Sequence, residues 1–164
     1  MNDMRTISFK GGVDVHFLKE GRDTSNEYCE FVCVIKPGIR TPMPHYHERF
    51  DETVSGRTGT VTWTVDGKVT DVGPGDTLFI SRGATHHFDN RTKETIEFLC
   101  RTVPGDAFGP QYFEDMAAVL NADGLPDFGR LQEVMKSHGL VPVLDFKRTV
   151  IFAVLGLVRK IKGS

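Results

Sequence analysis

Two short stretches of the sequence carry side chains that bind metal ions. The first contains His45 and His47, with Glu52 shortly after them. In a β-strand His45 and His47 project from the same face, because successive side chains alternate, so both imidazoles can bind one ion. The second stretch, residues 83–90, contains His86 and follows a strand-like run and a turn. It could return a third imidazole to the same interior.

The position of Glu52 requires a break in the strand. Glu52 lies five residues after His47, an odd offset that places it on the opposite face of an uninterrupted strand. We therefore predict a loop or bulge between them, which the polar residues Glu48, Arg49 and Asp51 could supply.

Three imidazoles and one carboxylate suit a divalent first-row transition metal. Neutral nitrogen donors match iron, manganese, nickel, copper or zinc, and a carboxylate offsets the charge of the ion. We predict one such ion, without choosing among the five metals. If it is six-coordinate, four protein ligands leave two positions for substrate, water or dioxygen, which is typical of a catalytic site.

Length, charge and cysteine content limit the class of protein. The chain has 164 residues and a formal net charge of −2, which predicts one ordinary domain and disfavours nucleic-acid binding. Three cysteines without a CxxC pair argue against a disulfide framework and favour a reducing cytoplasm. No secretory signal is evident, and the apolar run at residues 149–158 is shorter than the ~20 residues of a membrane span.

The first part of the chain has the pattern of an antiparallel β protein. Short runs with alternating apolar residues are separated by Gly, Pro, Asn and Asp, and no helix-period segment lies between them. Asp66 and Gly67 suit the two positive φ angles of a tight hairpin turn. The pattern favours an antiparallel sandwich or barrel with strands at residues 13–18, 28–36, 53–55, 60–65, 68–72, 77–81 and 95–103.

After Pro104 the pattern becomes helical. We predict helices over residues 111–121, 127–138 and 144–162, with Asp127 as the N-cap of the second. The chain then divides into a barrel, residues 1–103, and a helical extension, residues 104–164, packed on the barrel or across a dimer interface. A homodimer is the preferred expectation. An interfacial membrane helix is the alternative, because basic residues follow the apolar run.

The spacing of the metal-binding residues resembles the two motifs of the cupin family. The first resemblance is the run Gly38-x6-His45-x-His47-x4-Glu52-x6-Gly59. The second is the run Gly75-x5-Ser81-x-Gly83-x2-His86-x3-Asn90. Two departures occur: six residues rather than the common five precede His45, and Ser81 replaces the usual proline. Neither departure removes a ligand.

The resemblance implies a fold, a ligand set and a class of activity. The fold is a small jelly-roll β-barrel, and the implied metal ligands are His45, His47, Glu52 and His86. The leading expectation is a dioxygenase-like oxidoreductase acting on a small organic molecule, with Glu52 as a general base. A metal-dependent isomerase or decarboxylase, and a non-catalytic module that binds a small ligand, are the alternatives.

The remaining aromatic, sulfur-containing and imidazole side chains have simpler interpretations. An apolar substrate cavity or plain core packing would account for Met43, Trp63, Phe79 and Phe88. The other histidines, His16, His87 and His138, are expected to be structural or to lie on the surface.

Overall fold

The computed structural model describes residues 4–41 and 43–143. Within these ranges the chain forms mainly β-strands, followed by two helices and a last short strand. The elements in chain order are β1 (Thr6–Phe9), β2 (Val13–Lys19), a 3₁₀ helix (Gly21–Thr24), β3 (Cys29–Ile35), β4 (His45–His47), β5 (Asp51–Thr58), β6 (Val61–Val65), β7 (Lys68–Val72), β8 (Thr77–Ile80), β9 (His86–Asp89), β10 (Ile96–Val103), α1 (Pro110–Leu120), α2 (Phe128–Ser137) and β11 (Leu140–Pro142).

The strands form two sheets. Six strands lie in the order β1-β2-β3-β10-β5-β8, and five lie in the order β11-β4-β9-β6-β7. The pairs of neighbouring strands are antiparallel. This arrangement confirms the predicted antiparallel β fold with helices in the C-terminal part.

Side-chain alternation places the core between the two sheets. In β10 the residues Ile96, Phe98, Cys100 and Thr102 are buried, and the residues between them are more exposed. Removing a large apolar side chain such as Phe98 from water contributes about 1.5–3 kcal/mol. The same alternation decides which polar side chains enter the interior, so it also positions the candidate metal ligands.

The hairpin between β6 and β7 has the predicted turn. Asp66 and Gly67 adopt φ angles of 46° and 81°, and Val65 pairs with Lys68. Glycine tolerates positive φ because it has no Cβ, and aspartate tolerates it better than most residues.

The predicted set of strands lacks four that the structure contains: β1, β4, β9 and β11. The longest of these have four residues. Runs this short are too brief to show a periodic pattern, and their pairing depends on partners distant in sequence. The predicted strand at residues 53–55 is longer in the structure, where β5 covers Asp51–Thr58.

Both described helices lie where the pattern predicts them, within one or two residues at each end. The Asp127 side chain accepts a hydrogen bond of 3.1 Å from the backbone N–H of Arg130, which confirms its role as the N-cap of α2. The third predicted helix, at residues 144–162, lies outside the described residues. No helix within residues 4–41 and 43–143 is long and apolar enough to cross a membrane.

Helix α1 packs against β2 and β3 of the six-stranded sheet. The ring of Phe113 lies 5.7 Å from that of Phe17 and 5.1 Å from that of Phe31. An ion pair joins Arg5 to Glu114. Strand β11 then pairs with β4, the strand that carries His45 and His47. The helical segment therefore adjoins the end of the barrel where the candidate site lies.

Candidate metal centre

Three histidine side chains meet inside the barrel. His45 and His47 lie on β4, and His86 lies on β9, where it pairs directly with His45. One ring nitrogen of each lies within 4.8 Å of those of the other two. The structure thus brings together the three imidazoles that the sequence singles out.

Glu52 approaches this cluster from the opposite sheet. Its Oε2 atom lies 3.8 Å from Nε2 of His47 and 3.6 Å from Nε2 of His86. The intervening residues 48–50 are not part of a strand, and they carry the chain from the five-stranded to the six-stranded sheet. The predicted interruption is therefore present, and the odd offset is no obstacle because the two sheets face each other.

Backbone carbonyls orient two of the imidazoles. Nδ1 of His45 lies 3.0 Å from the carbonyl oxygen of Met43, and Nδ1 of His86 lies 2.9 Å from that of Ala84. Each contact assigns the proton to Nδ1, which donates to the carbonyl. The Nε2 lone pairs are then free to bind an ion, and such second contacts are usual for histidines that hold metals.

Burial favours the neutral form of His45 and His47. Desolvation, together with the charge interaction with the neighbouring His86, lowers the pKa of His45 to about 3. Burial also lowers the pKa of His47. Neutral imidazoles are the form that binds metal ions, and the nearby carboxylate of Glu52 supplies the negative charge that a divalent ion favours. The donor set therefore fits a divalent transition metal.

Comparison with known proteins agrees with this arrangement. Residues 31–101 match the family model described as a cupin domain. These residues carry a cupin domain. This confirms the resemblance carried by the two sequence motifs, since the matched residues include all four candidate ligands.

Solved structures show the same cupin fold. A sugar phosphate isomerase from Silicibacter pomeroyi has 21% identity and a TM-score of 0.54, with 62% of this chain and 72% of that chain covered. The polyketide cyclase RemF from Streptomyces resistomycificus has 21% identity and a TM-score of 0.53, with 62% of this chain and 74% of that chain covered. A protein described as a predicted oxalate decarboxylase from Thermotoga maritima has 24% identity and a TM-score of 0.54, with 62% of this chain and 91% of that chain covered. No curated protein gives a significant match.

Of the residues expected to line a cavity or the core, Phe79 lies outside the interior. Met43 and Trp63 are buried in the cupin barrel, and the Trp63 ring lies 6.0 Å from that of His86 and 5.3 Å from that of Phe88. Phe79, by contrast, is 62% exposed, so its predicted place in the interior is wrong. Phe79 pairs with Thr53, the residue after the inward-facing Glu52, and alternation turns both side chains outward.

Sequence reasoning missed three aromatic residues beside the cluster. Phe50 stacks on His47 with ring centres 4.0 Å apart, and Phe108 stacks on Phe50 at 4.6 Å. Tyr112 of α1 contacts Phe108 at 4.8 Å. The position of Phe50 between the candidate ligands His47 and Glu52 was a usable signal. Nothing in the sequence around Phe108 or Tyr112 indicates that they reach the site.

The cysteine on the wall beside Glu52 is poorly suited to bind the ion. Cys100 lies on β10, two residues from the pairing partner of Glu52, and both side chains face the interior. Burial raises the pKa of the Cys100 thiol, and contact with Cys33 and the charge of Glu52 raise it further. A thiol that stays protonated is a poor metal ligand, so nitrogen and oxygen remain the donors.

Three buried polar atoms of the described residues have no hydrogen-bond partner among them: Nδ1 of His47, Nε1 of Trp63 and Oγ1 of Thr102. An unpaired buried hydroxyl costs about 1–3 kcal/mol. We therefore expect Thr102→Val, which keeps the shape and removes the hydroxyl, to raise the free energy of unfolding of the metal-free protein by about 1 kcal/mol. Urea denaturation measures this change.

Thr62 provides the matched control. It is also buried, but its hydroxyl donates a 2.7 Å hydrogen bond to Asp71. Thr62→Val should therefore lower the unfolding free energy, by about 1 kcal/mol. Equal losses in both variants would show that the Thr102 hydroxyl is paired in solution.

Proposed function

We propose that the cupin barrel is a metal-dependent enzyme acting on a small organic molecule, with oxygen-dependent oxidation of the dioxygenase type as its chemistry. The observation that carries this proposal is the convergence of three imidazoles and one carboxylate in a buried interior. Buried polar groups of this kind are costly unless something satisfies them, and a divalent ion does so. Iron, manganese, nickel, copper and zinc are all compatible with the donors.

The chain's own residues have separate roles in this proposal. His45, His47 and His86 would hold the ion, with Glu52 as the fourth ligand. The bound ion would supply Lewis acidity to an oxygen atom of the substrate. Glu52 would accept a proton from the substrate, since its carboxylate faces the same space as the imidazoles. Phe50 and Trp63 keep water from the surroundings of the cluster.

The role of Glu52 as a base gives a specific expectation. Glu52→Gln keeps an oxygen donor but cannot accept a proton at neutral pH, so we expect metal content to be retained and turnover to fall about 10²–10⁴-fold. Metal analysis and the initial rate on the same sample measure the two effects. Full activity in Glu52→Gln would refute the role, and loss of metal would show that the carboxylate acts mainly as a ligand.

Non-oxidative isomerisation or decarboxylation is the second candidate. It is favoured by two of the structurally similar proteins, a sugar phosphate isomerase and a predicted oxalate decarboxylase. In this reaction the ion would polarise a carbonyl or carboxylate of the substrate, without dioxygen.

One experiment separates the candidates. The metal-loaded protein is incubated with a panel of small hydroxy acids, keto acids and phenols, with proton NMR and an oxygen electrode as readouts. Substrate loss that consumes oxygen and stops under nitrogen supports the first candidate. Turnover that continues under nitrogen supports the second. Binding of a panel member without turnover would support a non-catalytic module. The homodimer and the cytoplasmic location stay predictions from the sequence.

A further inference from the structure

The candidate metal centre is enclosed. His47 is 2% exposed, His86 1%, Glu52 8% and His45 9%. A substrate can reach this cluster only if something at its edge moves. The question is which side chain separates the cluster from solvent.

A row of parallel aromatic rings leads outward from His47. Phe50 stacks on His47 at 4.0 Å with planes 23° apart, and Phe108 stacks on Phe50 at 4.6 Å with planes 27° apart. Phe108 also lies 6.5 Å from His47 itself, at 25°. The ring of Phe108 is therefore the outer member of a stack that ends at a candidate ligand.

The other side of Phe108 borders a surface cleft of about 280 Å³. Residues 20–22, 26, 105–111 and 138 line it. Among these lining residues, Phe108 is the one whose ring stacks on Phe50. Phe108 is only 7% exposed, so most of its side chain lies beneath the surface that lines the cleft.

The loop that carries Phe108 is held at both ends. On one side the N–H of Gly105 donates a 2.9 Å hydrogen bond to the carbonyl of Asn26, and a Cβ on Gly105 would overlap the backbone of Tyr28. On the other side Phe113 holds α1 against Phe17 and Phe31. The Phe108 ring also lies 4.8 Å from that of Tyr112 and 5.4 Å from that of Phe113, so movement of the ring toward the cleft breaks its contacts with α1.

We propose that Phe108 is the gate of the candidate metal centre, and that small molecules enter from the cleft when its ring moves aside. The inference rests on the proposed function, because it assigns an entrance to that same site. The cleft is slightly smaller than the ~300–1,000 Å³ of typical ligand pockets, so the gate admits compact substrates. Phe108 thereby limits the size of the molecule that reaches His47.

The test uses the single tryptophan of the chain as a reporter. Trp63 is 3% exposed, and its ring lies 6.0 Å from that of His86. Quenching of its fluorescence by acrylamide in the metal-free protein measures entry of a small neutral molecule. Quenching by Cu²⁺ in a stopped-flow experiment measures the rate at which an ion reaches the cluster.

The variants are Phe108→Ala and Phe108→Leu, compared with the wild-type chain and Phe17→Ala. Phe17 is the control because it has the same side chain as Phe108 and is similarly buried. It contacts Phe31 and Phe113 but does not line the cleft. Open states of closed sites are commonly 0.1–10% populated, so opening the gate should raise both quenching rates about tenfold or more. Phe17→Ala should leave them unchanged. Phe108→Leu should show a smaller rise in the two quenching rates. It replaces Phe108→Ala in the test if the alanine variant does not fold.

Each outcome is decisive for the gate. A rise in both Phe108 variants and none in Phe17→Ala supports it. Equal rates in the Phe108 and Phe17 variants, whether both raised or both unchanged, would overturn it. If Cu²⁺ binds to none of the proteins, the proposed metal function fails, and acrylamide quenching alone still decides whether Phe108 controls access.

Discussion

Replacing His47 with alanine is expected to lower the affinity of the protein for a divalent transition metal by at least about 100-fold, since loss of even a supporting contact of a ligand commonly costs 10–100-fold. The His47 ring centre lies 4.5 Å from that of His86 and 5.2 Å from that of His45, and its Nε2 lies 3.8 Å from Oε2 of Glu52. Its removal leaves two imidazoles and a carboxylate. Competition with a chromogenic chelator at pH 7.5 measures the affinity directly.

The matched control for this variant is His16→Ala. His16 lies on β2, where its Nδ1 contacts the hydroxyl of Thr6 at 2.9 Å, and it is not a member of the candidate cluster. Its removal should leave the affinity within the error of the measurement. An affinity that is the same in the His47 and His16 variants would mean that any bound metal lies elsewhere.

The metal-free protein is expected to lose stability as the pH falls below about 6.5. Burial lowers the pKa of His45 from 6.5 to about 3 in the folded state, so the unfolded chain binds a proton more readily across this range. Folding stability therefore rises with pH and falls on acidification, by up to about 1.4 kcal/mol per pH unit for this residue. Between pH 7.5 and 4.5 the loss from His45 is about 3 kcal/mol. The lowered pKa of His47 adds to it.

Urea denaturation of the metal-free protein at a series of pH values measures this loss. In the double variant His45→Gln, His47→Gln the two titrating groups are absent, so the dependence on pH below 6.5 should flatten. The wild-type chain saturated with metal should resist acid to a lower pH, because the ion competes with protons for the imidazoles. An equally steep loss in the double variant would place the acid-sensitive groups elsewhere in the molecule.

The sequence was sufficient to predict the antiparallel β fold and the members of the cluster. Alternation of apolar residues identified the long strands, and the Asp66-Gly67 pair identified the hairpin turn, because both signals are local. The spacing of His45, His47, Glu52 and His86 identified the candidate ligands through their chemistry and the cupin motifs. The structure brings these four side chains together at one end of the barrel.

The features that the sequence did not predict depend on packing between segments that are distant in the chain. The three-residue strand β4 lies between β11 and β9, and both of these partners are distant from it in sequence. The outward direction of Phe79 follows from its register with β5, and the sequence alone does not reveal this register. Phe108, in the loop before α1, contacts Phe50 from 58 residues away, and a long-range contact of this kind has no local pattern.

The central claim is that this cupin barrel holds a metal ion between His45, His47, His86 and Glu52. Elemental analysis of the full chain, purified without a polyhistidine tag and with the His86→Ala variant prepared in parallel, tests it most directly. The account predicts close to one equivalent of iron, manganese, nickel, copper or zinc per chain, and a large loss in the variant. Absence of metal in the wild-type chain after reconstitution with each ion, or equal metal in both proteins, would contradict it.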